Sequence, residues 1–222
     1  MARGNYKKSS RDRRRDKEEA KPWIPRTQLG KRVYAGEIKS LDEILESGAK
    51  VLEPEIVDFL LPDLTEEVIE VTSTQRMTAC GRKMFMRAIV ILGDKNGHIA
   101  LGLGKAPETR DAIAEAMMDA KKNIVRVRLG CGSWECGCGA GHSVALQVTG
   151  KSANTVVTIR PAPRGVGIVA GATSRKVLEL AGVKDAWTMA LGRTRNALNV
   201  VSATIDALNS LNKQKKGKIV AE

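Results

Sequence analysis

The sequence predicts an α+β protein of two units, and three observations carry that prediction. Between Gln75 and Asn123, two apolar runs of period two flank Asp94-Lys95-Asn96-Gly97 and lead into a run of helical period. From Val125 to Ser143 the periodicity vanishes into a segment dominated by Gly, Cys and Ser. Strand-like and helix-like runs then resume as far as Leu208. The expected order is an α-β-β-β-α domain followed by a second α/β two-layer domain.

Taken in order, residues 1–22 form a basic flexible arm with almost no apolar content, and structure is expected from Trp23 onward. Residues 23–66 read as an N-terminal extension with short acidic helices. Ser40 and Glu43 have the spacing of a capping box, and Gly48 ends that helix. Glu53-Pro54-Glu55 opens a second helix, whose Ile56, Phe59 and Leu60 are expected to cover the sheet before Pro62 stops it.

The domain proper spans 67–128. Val68 to Met77 predicts its first strand, Met84 to Leu92 the second and Ile99 to Leu103 the third, with Gly102 and Gly104 set for close backbone approach. Pro107 suits a first helical turn, and Ile113, Met117, Ala120 and Ile124 follow at helical spacing. This element order is shared with double-stranded RNA-binding modules. The Lys121-Lys122 pair, however, lies late in the helix, where those modules do not grip phosphates, so generic duplex binding is not expected.

Residues 129–143 are the connector. In the second domain, 144–212, Val144, Leu146 and Val148 alternate as a strand and Thr155 to Ile159 form another. Arg160-Pro161-Ala162-Pro163-Arg164-Gly165-Val166-Gly167 is a rigid basic turn, fixed by its prolines and opened to close approach by its glycines. Thr173 or Ser174 is expected to cap a helix ended by Gly182. Trp187, Met189 and Leu191 read as a strand. Leu198, Val201, Ile205 and Leu208 mark the buried stripe of the last helix, and 213–222 is a basic tail.

The charge is +12 over 222 residues, which by itself suggests a polyanionic partner. It falls in blocks: net +8 over 1–32, −9 over 33–70 and +13 over 71–222. The acidic block is expected to face solvent or a basic neighbour protein. With only two Phe, two Tyr and three Trp, stacking on an aromatic platform is not the expected binding mode. No run of 18 apolar residues is present and the basic N-terminus lacks an apolar signal core, so no membrane partner and no secretion signal are expected. Four cysteines in such a chain point to metal or buried thiols rather than disulfides.

Enzymatic readings fail on the residues. Gly102-Leu103-Gly104-Lys105 resembles a fragment of a phosphate loop, but Ile99 and Ala106 stand where a Walker loop needs Gly and Ser or Thr. Pro107 occupies the third glycine of a dinucleotide pattern. No paired carboxylates or Ser/His/Asp set accompany them, so no small-molecule substrate is expected.

CGRKMFMRAIVILGDKNGHIALGLGKAPE, at 80–108, resembles the core signature of the ribosomal small-subunit protein five family in its archaeal and eukaryotic form. IRPAPRGVGIVAG, at 159–171, matches the second half of the same family. The resemblance covers roughly residues 23 to 212. It implies a structural constituent of the small ribosomal subunit, located in the cytoplasm within the ribosome. Its implied roles are binding of small-subunit rRNA, lining of the mRNA entrance channel, and support of translational accuracy and subunit assembly. Small-subunit proteins four and three are implied as neighbours at that entrance, and protein eight on the other side.

Two RNA-binding surfaces are expected. The first is the loop Thr74–Lys83 with Arg76, Arg82 and Lys83, continuing to Arg87 and Lys105, where cations neutralise phosphates. The second comprises Arg160, Arg164, Gly165 and Gly167, with Arg193 and Arg195 at a strand-to-helix turn whose backbone N–H groups suit a phosphate.

Cys131, Cys136, Cys138 and His142 fall within twelve residues and supply the ligand set of a structural zinc site. The single residue between Cys136 and Cys138 is tighter than usual, and free thiols in a glycine loop are the alternative. With zinc goes a rival reading of the whole chain, an extra-ribosomal zinc-containing RNA-binding regulator; a metal-dependent enzyme stands further off.

Overall fold

A computed structural model describes residues 23–213; the basic arm and the tail expected beyond them lie outside that range. Three short helices come first: α1 (Gln28–Tyr34), α2 (Leu41–Glu46) and α3 (Pro54–Leu60). The strands β1 (Thr65–Thr78), β2 (Gly81–Gly93) and β3 (His98–Ala106) follow, then α4 (Thr109–Lys122) and β4 (Ile124–Arg126). They form an antiparallel sheet in the order β1-β2-β3-β4. The α-β-β-β-α order is as predicted, with three differences at its margins, one being that Pro107 precedes the N-cap of α4, Glu108, instead of lying in its first turn. Helix α1 was not expected; it is capped by Thr27, whose hydroxyl accepts from Gly30 N at 3.0 Å. Ile124, assigned by its spacing to the helical stripe, instead starts a fourth strand paired with Ala100.

Glycines decide how closely α4 lies on the sheet. A Cβ on Gly102 would overlap the carbonyl of Ala116 and the amide of Ala120, and one on Gly104 would overlap the carbonyl of Ala112. The helix answers with Ala112, Ala116 and Ala120, all fully buried. Two rows of small residues thus bring backbone against backbone, and the predicted close approach is realised.

The other face of the sheet belongs to the second unit. The two-residue strands β5 (Leu129–Gly130) and β6 (Ser143–Val144) pair with each other and close the base of the connector. Beyond them come β7 (Val148–Ser152), β8 (Thr155–Pro161), β9 (Ile168–Val169), α5 (Ala172–Ala181), β10 (Ala186–Gly192) and α6 (Ala197–Ser210). A 3-10 turn at Leu211–Lys213 ends the described chain. The second sheet runs β7-β8-β10-β9, with β9 and β10 parallel and bridged by α5. The fold is therefore a two-domain α+β architecture. Ile91 and Ile99 of the first sheet share one buried cluster with Val177, Leu178, Val201 and Leu208 of the second unit. The 94–97 turn plugs into the end of α5: Lys95 N donates to Leu180 O at 2.9 Å. Gly182, the predicted left-handed stop at φ 87°, lies where a Cβ would strike the carbonyl of Lys95.

Several local expectations are corrected. Ser40 does not cap through its side chain; its hydroxyl donates to Glu43 Oε1 at 2.7 Å. Phe59 is exposed against the Trp23 ring, and Val57 is buried in its stead. Leu146 is exposed and outside any strand, since the bridge at 143–144 and β7 are separate. Gly171 takes the N-cap of α5, while Ser174 is buried one turn in, 3.3 Å from Thr204 Oγ1.

The acidic block finds many of its partners inside the chain. Asp42 and Glu46 pair with Arg126, Asp58 with Lys121, and Glu67 with Lys176. Glu53 accepts from Trp23 Nε1 at 3.0 Å and from the amides of Arg26 and Thr27 at 2.9 and 2.5 Å. Burial pushes its pKa up, but the bonds from Thr27, Trp23 and Arg26 outweigh this and hold it below the usual carboxylate value.

Candidate nucleic-acid interface and metal centre

The expected basic loop is a ribbon. β1 and β2 stay paired as far as Thr78 and Gly81, so the turn is only Ala79-Cys80. β3 covers β2 no further than the Met86–Ala106 pair. Phe85 to Gly81 and their partners therefore project beyond the sheet, by about 17 Å at strand rise.

Pairing sorts the side chains by face. Arg76 lies opposite Lys83, and Arg87 opposite Lys105. Because Lys83, Phe85 and Arg87 alternate with the pleat, all four cations share one face. Lys83 Nζ stands 5.3 Å from the centroid of the Phe85 ring, which fixes the ammonium over the ribbon. Arg76, Phe85, Lys105 and Thr74 line a shallow hollow of about 450 Å³. At its inner end, Arg87 Nε and the hydroxyl of its cross-strand neighbour Thr72 are buried without a hydrogen-bond partner among the described residues. Such groups are costly unless something else satisfies them. Arg82 is separated from this set: it lies opposite Met77, on the reverse face with Met84. Both methionines are exposed, at 73% and 56%.

In the second unit, Arg160 and Arg164 are exposed, as are Arg193 and Arg195. Arg160 pairs with Trp187 and shares the outer face of β8 and β10 with it. Arg193 and Arg195 both precede α6, whose N-cap, Asn196, makes no side-chain capping bond. The amides of Gly165 and Gly167 point inward: they donate to Asp185 Oδ1 at 3.0 and 2.8 Å. What the turn offers outward is therefore its side chains, Arg164 first. Asp185 was not legible as a member of any site; it is buried, and its sequence neighbourhood carries no motif.

The connector brings Cys131, Cys136, Cys138 and His142 together, their ligand atoms all within 4.8 Å of one another. Cys80 stands apart at the ribbon tip, exposed. Cys136 Sγ lies 3.7 Å from His142 Nε2. A tetrahedral ion with bonds of about 2.0–2.3 Å to nitrogen and sulfur sets its ligand atoms roughly 3.5–3.8 Å apart, so a modest contraction would seat one. His142 is oriented for it: Nδ1 donates to Asp185 Oδ2 at 2.8 Å, leaving the Nε2 lone pair toward the sulfurs. Cys136 is drawn down to about 6, first by the Arg164 amide and then by Cys138 and His142. Thiolate character is what a metal ligand requires. Asp185 sits below the usual carboxylate range because the Gly167, His142 and Gly165 bonds outweigh its burial. Within this loop Trp134 is 94% exposed.

Two family profiles match the chain. The one described as ribosomal protein S5, N-terminal domain, covers residues 64–128, and the one described as ribosomal protein S5, C-terminal domain, covers 150–221. Among similar proteins, the small ribosomal subunit protein uS5 of Methanoregula boonei is 53% identical over 196 residues, 88% of this chain and 96% of that protein. The uS5 of Methanospirillum hungatei is 51% identical over 86% of this chain and 93% of its own length. That of Methanocaldococcus jannaschii is 50% identical over 86% and 88%. With both halves matched in order and such identity across most of its length, the chain belongs to the ribosomal protein S5 family.

Proposed function

We propose that this protein is a structural constituent of the small ribosomal subunit that holds rRNA chiefly through phosphates. Membership of a family of structural ribosomal proteins, not enzymes, sets the class. The observation that carries the RNA reading is the ribbon, which presents Arg76, Lys83, Arg87 and Lys105 on one projecting face. Point cations on a projecting ribbon suit a phosphate backbone, where charge neutralisation and counterion release supply affinity. Arg82, on the reverse face, extends the contact to a second strand of RNA. Arg160, Arg164, Arg193 and Arg195, with Gly165 and Gly167 shaping the turn, make the second surface.

The lining of the mRNA entrance, the support of accuracy and of assembly, and the neighbours four, three and eight belong to the same reading. The outer face of the second sheet supports a protein neighbour, since Trp187, Met189, Leu191 and Val169 are all exposed there. The division into an extension at 23–66, domains at 67–128 and 144–212 and a connector at 129–143 is likewise part of it.

Sedimentation of a cell lysate tests the main point. Salt-resistant migration with the small subunit is the expected result; a pool confined to the top of the gradient overturns it and favours an extra-ribosomal regulator.

The proposal includes one structural zinc ion on Cys131, Cys136, Cys138 and His142. The convergence of three sulfurs and a correctly oriented imidazole supports it. Purified protein is expected to carry about one equivalent of zinc, lost in Cys136→Ser; below about half an equivalent, unchanged by the substitution, there is no such site.

A further inference from the structure

The metal cluster and the basic turn meet at one carboxylate. Asp185 lies just before β10, with its two oxygens turned in different directions. Oδ2 accepts from His142 Nδ1 at 2.8 Å, whereas Oδ1 accepts from Gly165 N and Gly167 N at 3.0 and 2.8 Å. The main chain repeats the connection: the carbonyl of His142 accepts from the amides of Lys184 and Asp185 at 2.9 and 3.1 Å. Two amides of one short turn thus reach the cluster through a single side chain.

Two main-chain bonds also hold that turn: Val166 N donates to Pro163 O at 3.4 Å and Ala186 N to Gly167 O at 3.2 Å. A Cβ built on Gly165 or Gly167 would meet nothing within 4 Å, and both residues adopt left-handed φ, 94° and 74°. Val166 between them is exposed. Prolines 161 and 163 stiffen the approach, but the stretch from Arg164 to Gly167 rests on hydrogen bonds rather than packing. The two that end on Oδ1 are only as well placed as Asp185, and Asp185 is aimed by His142. A carboxylate on the distal nitrogen of a metal-bound imidazole fixes the ring and strengthens it as a ligand. Constraint passes equally in the other direction, because a ring pinned by a metal pins its carboxylate.

We propose that Asp185 couples a metal ion held by Cys131, Cys136, Cys138 and His142 to the Arg160–Gly167 turn, so that zinc occupancy fixes the turn and directs Arg164 toward RNA. The coupling rests on the zinc reading given above. Asp185 acts as a positioning residue: it touches neither metal nor RNA. Zinc here is more than a staple for the connector, since it sets the geometry of a basic turn that begins 18 residues downstream of His142.

Two measurements on the full-length protein test this. In the first, amide exchange is followed before and after zinc is withdrawn with a chelator. Residues 164–168 are expected to exchange roughly tenfold faster without metal, while the ribbon, 74–86, is unchanged. In the second, apoprotein is titrated with Co²⁺, whose visible bands report tetrahedral thiolate ligation. Asp185→Asn is expected to weaken cobalt binding about 10–100-fold, and Asp185→Glu to restore part of the loss. A full equivalent of zinc whose removal leaves exchange at 164–168 unaltered overturns the coupling and leaves the metal site standing. The same holds if Asp185→Asn binds cobalt as tightly as the wild type. A protein that takes up neither zinc nor cobalt overturns both. Should Asp185→Asn fail to fold, the wild-type exchange experiment decides alone.

Discussion

Replacing Arg76, Lys83 and Lys105 by Gln removes three of the four cations from one face of the ribbon and leaves Arg87, which is partly buried, in place. All three are exposed, so stability should change by no more than about 0.5 kcal/mol per site. RNA binding should change in a way that identifies the interaction. Each phosphate contact contributes roughly 0.7–0.9 to the slope of log K against log salt, so three contacts contribute about 2.4. Between 50 and 200 mM salt, the wild type should therefore lose about thirtyfold more affinity for small-subunit rRNA than the triple variant does. Filter binding across that salt range, with thermal melting as the control, measures both quantities. An unchanged slope with weaker binding would show that these side chains act by shape; an unchanged slope with unchanged binding would remove the ribbon from the interface.

Gly102→Val should cost about 3 kcal/mol or more, because its branched side chain must displace the backbone of α4, and Tm should fall by about 6–12 °C. His98 bonds Asp94 at 2.6 Å and Asp42 at 3.1 Å, and its pKa is raised, first by the Asp94 bond against the opposing effect of burial. Its contribution is fully present below about pH 6.5 and is lost as pH rises through the raised folded value, so Tm should decline across that window in wild type and less in His98→Gln. Glu53→Gln should free Trp23 and red-shift its fluorescence at neutral pH. Wild-type Glu53 should show the same release only as acid titrates it through its depressed pKa, seen in emission-monitored titration of a protein with Trp134 and Trp187 replaced by Phe.

Much of the fold was legible because the local rules and the packing agree. The alternation through Met84 to Leu92, the small faces of Gly102 and Gly104 and the stop at Gly182 each have one cheap local solution, and the structure adopts it. Where two rules compete, the tertiary context decides. Ile124 continues the helical spacing, yet Asn123 ends α4 and the free edge of β3 takes the next three residues as a strand. Ser174 is a good capping residue, but Thr204 lies against it in the core. The cations of the candidate site were visible as charges; their separation into two faces was not, because it depends on the strand register. The cysteines and His142 declare themselves by spacing. Asp185 does not, since its partners are 43 residues away at His142 and 18 and 20 away at the turn glycines.

The shared core between the two units has a consequence for how the chain is made. Ile91 and Ile99 belong to strands that leave the synthesising ribosome early, but the side chains that cover them, Leu178 and Leu208, follow more than seventy residues later. Until then, the first sheet carries α4 on one side and a bare apolar face on the other. The nascent chain therefore passes through a stage in which its N-terminal half is folded yet adhesive. Its safety in the cell depends on how fast elongation finishes the second half, or on a chaperone that shields that face meanwhile.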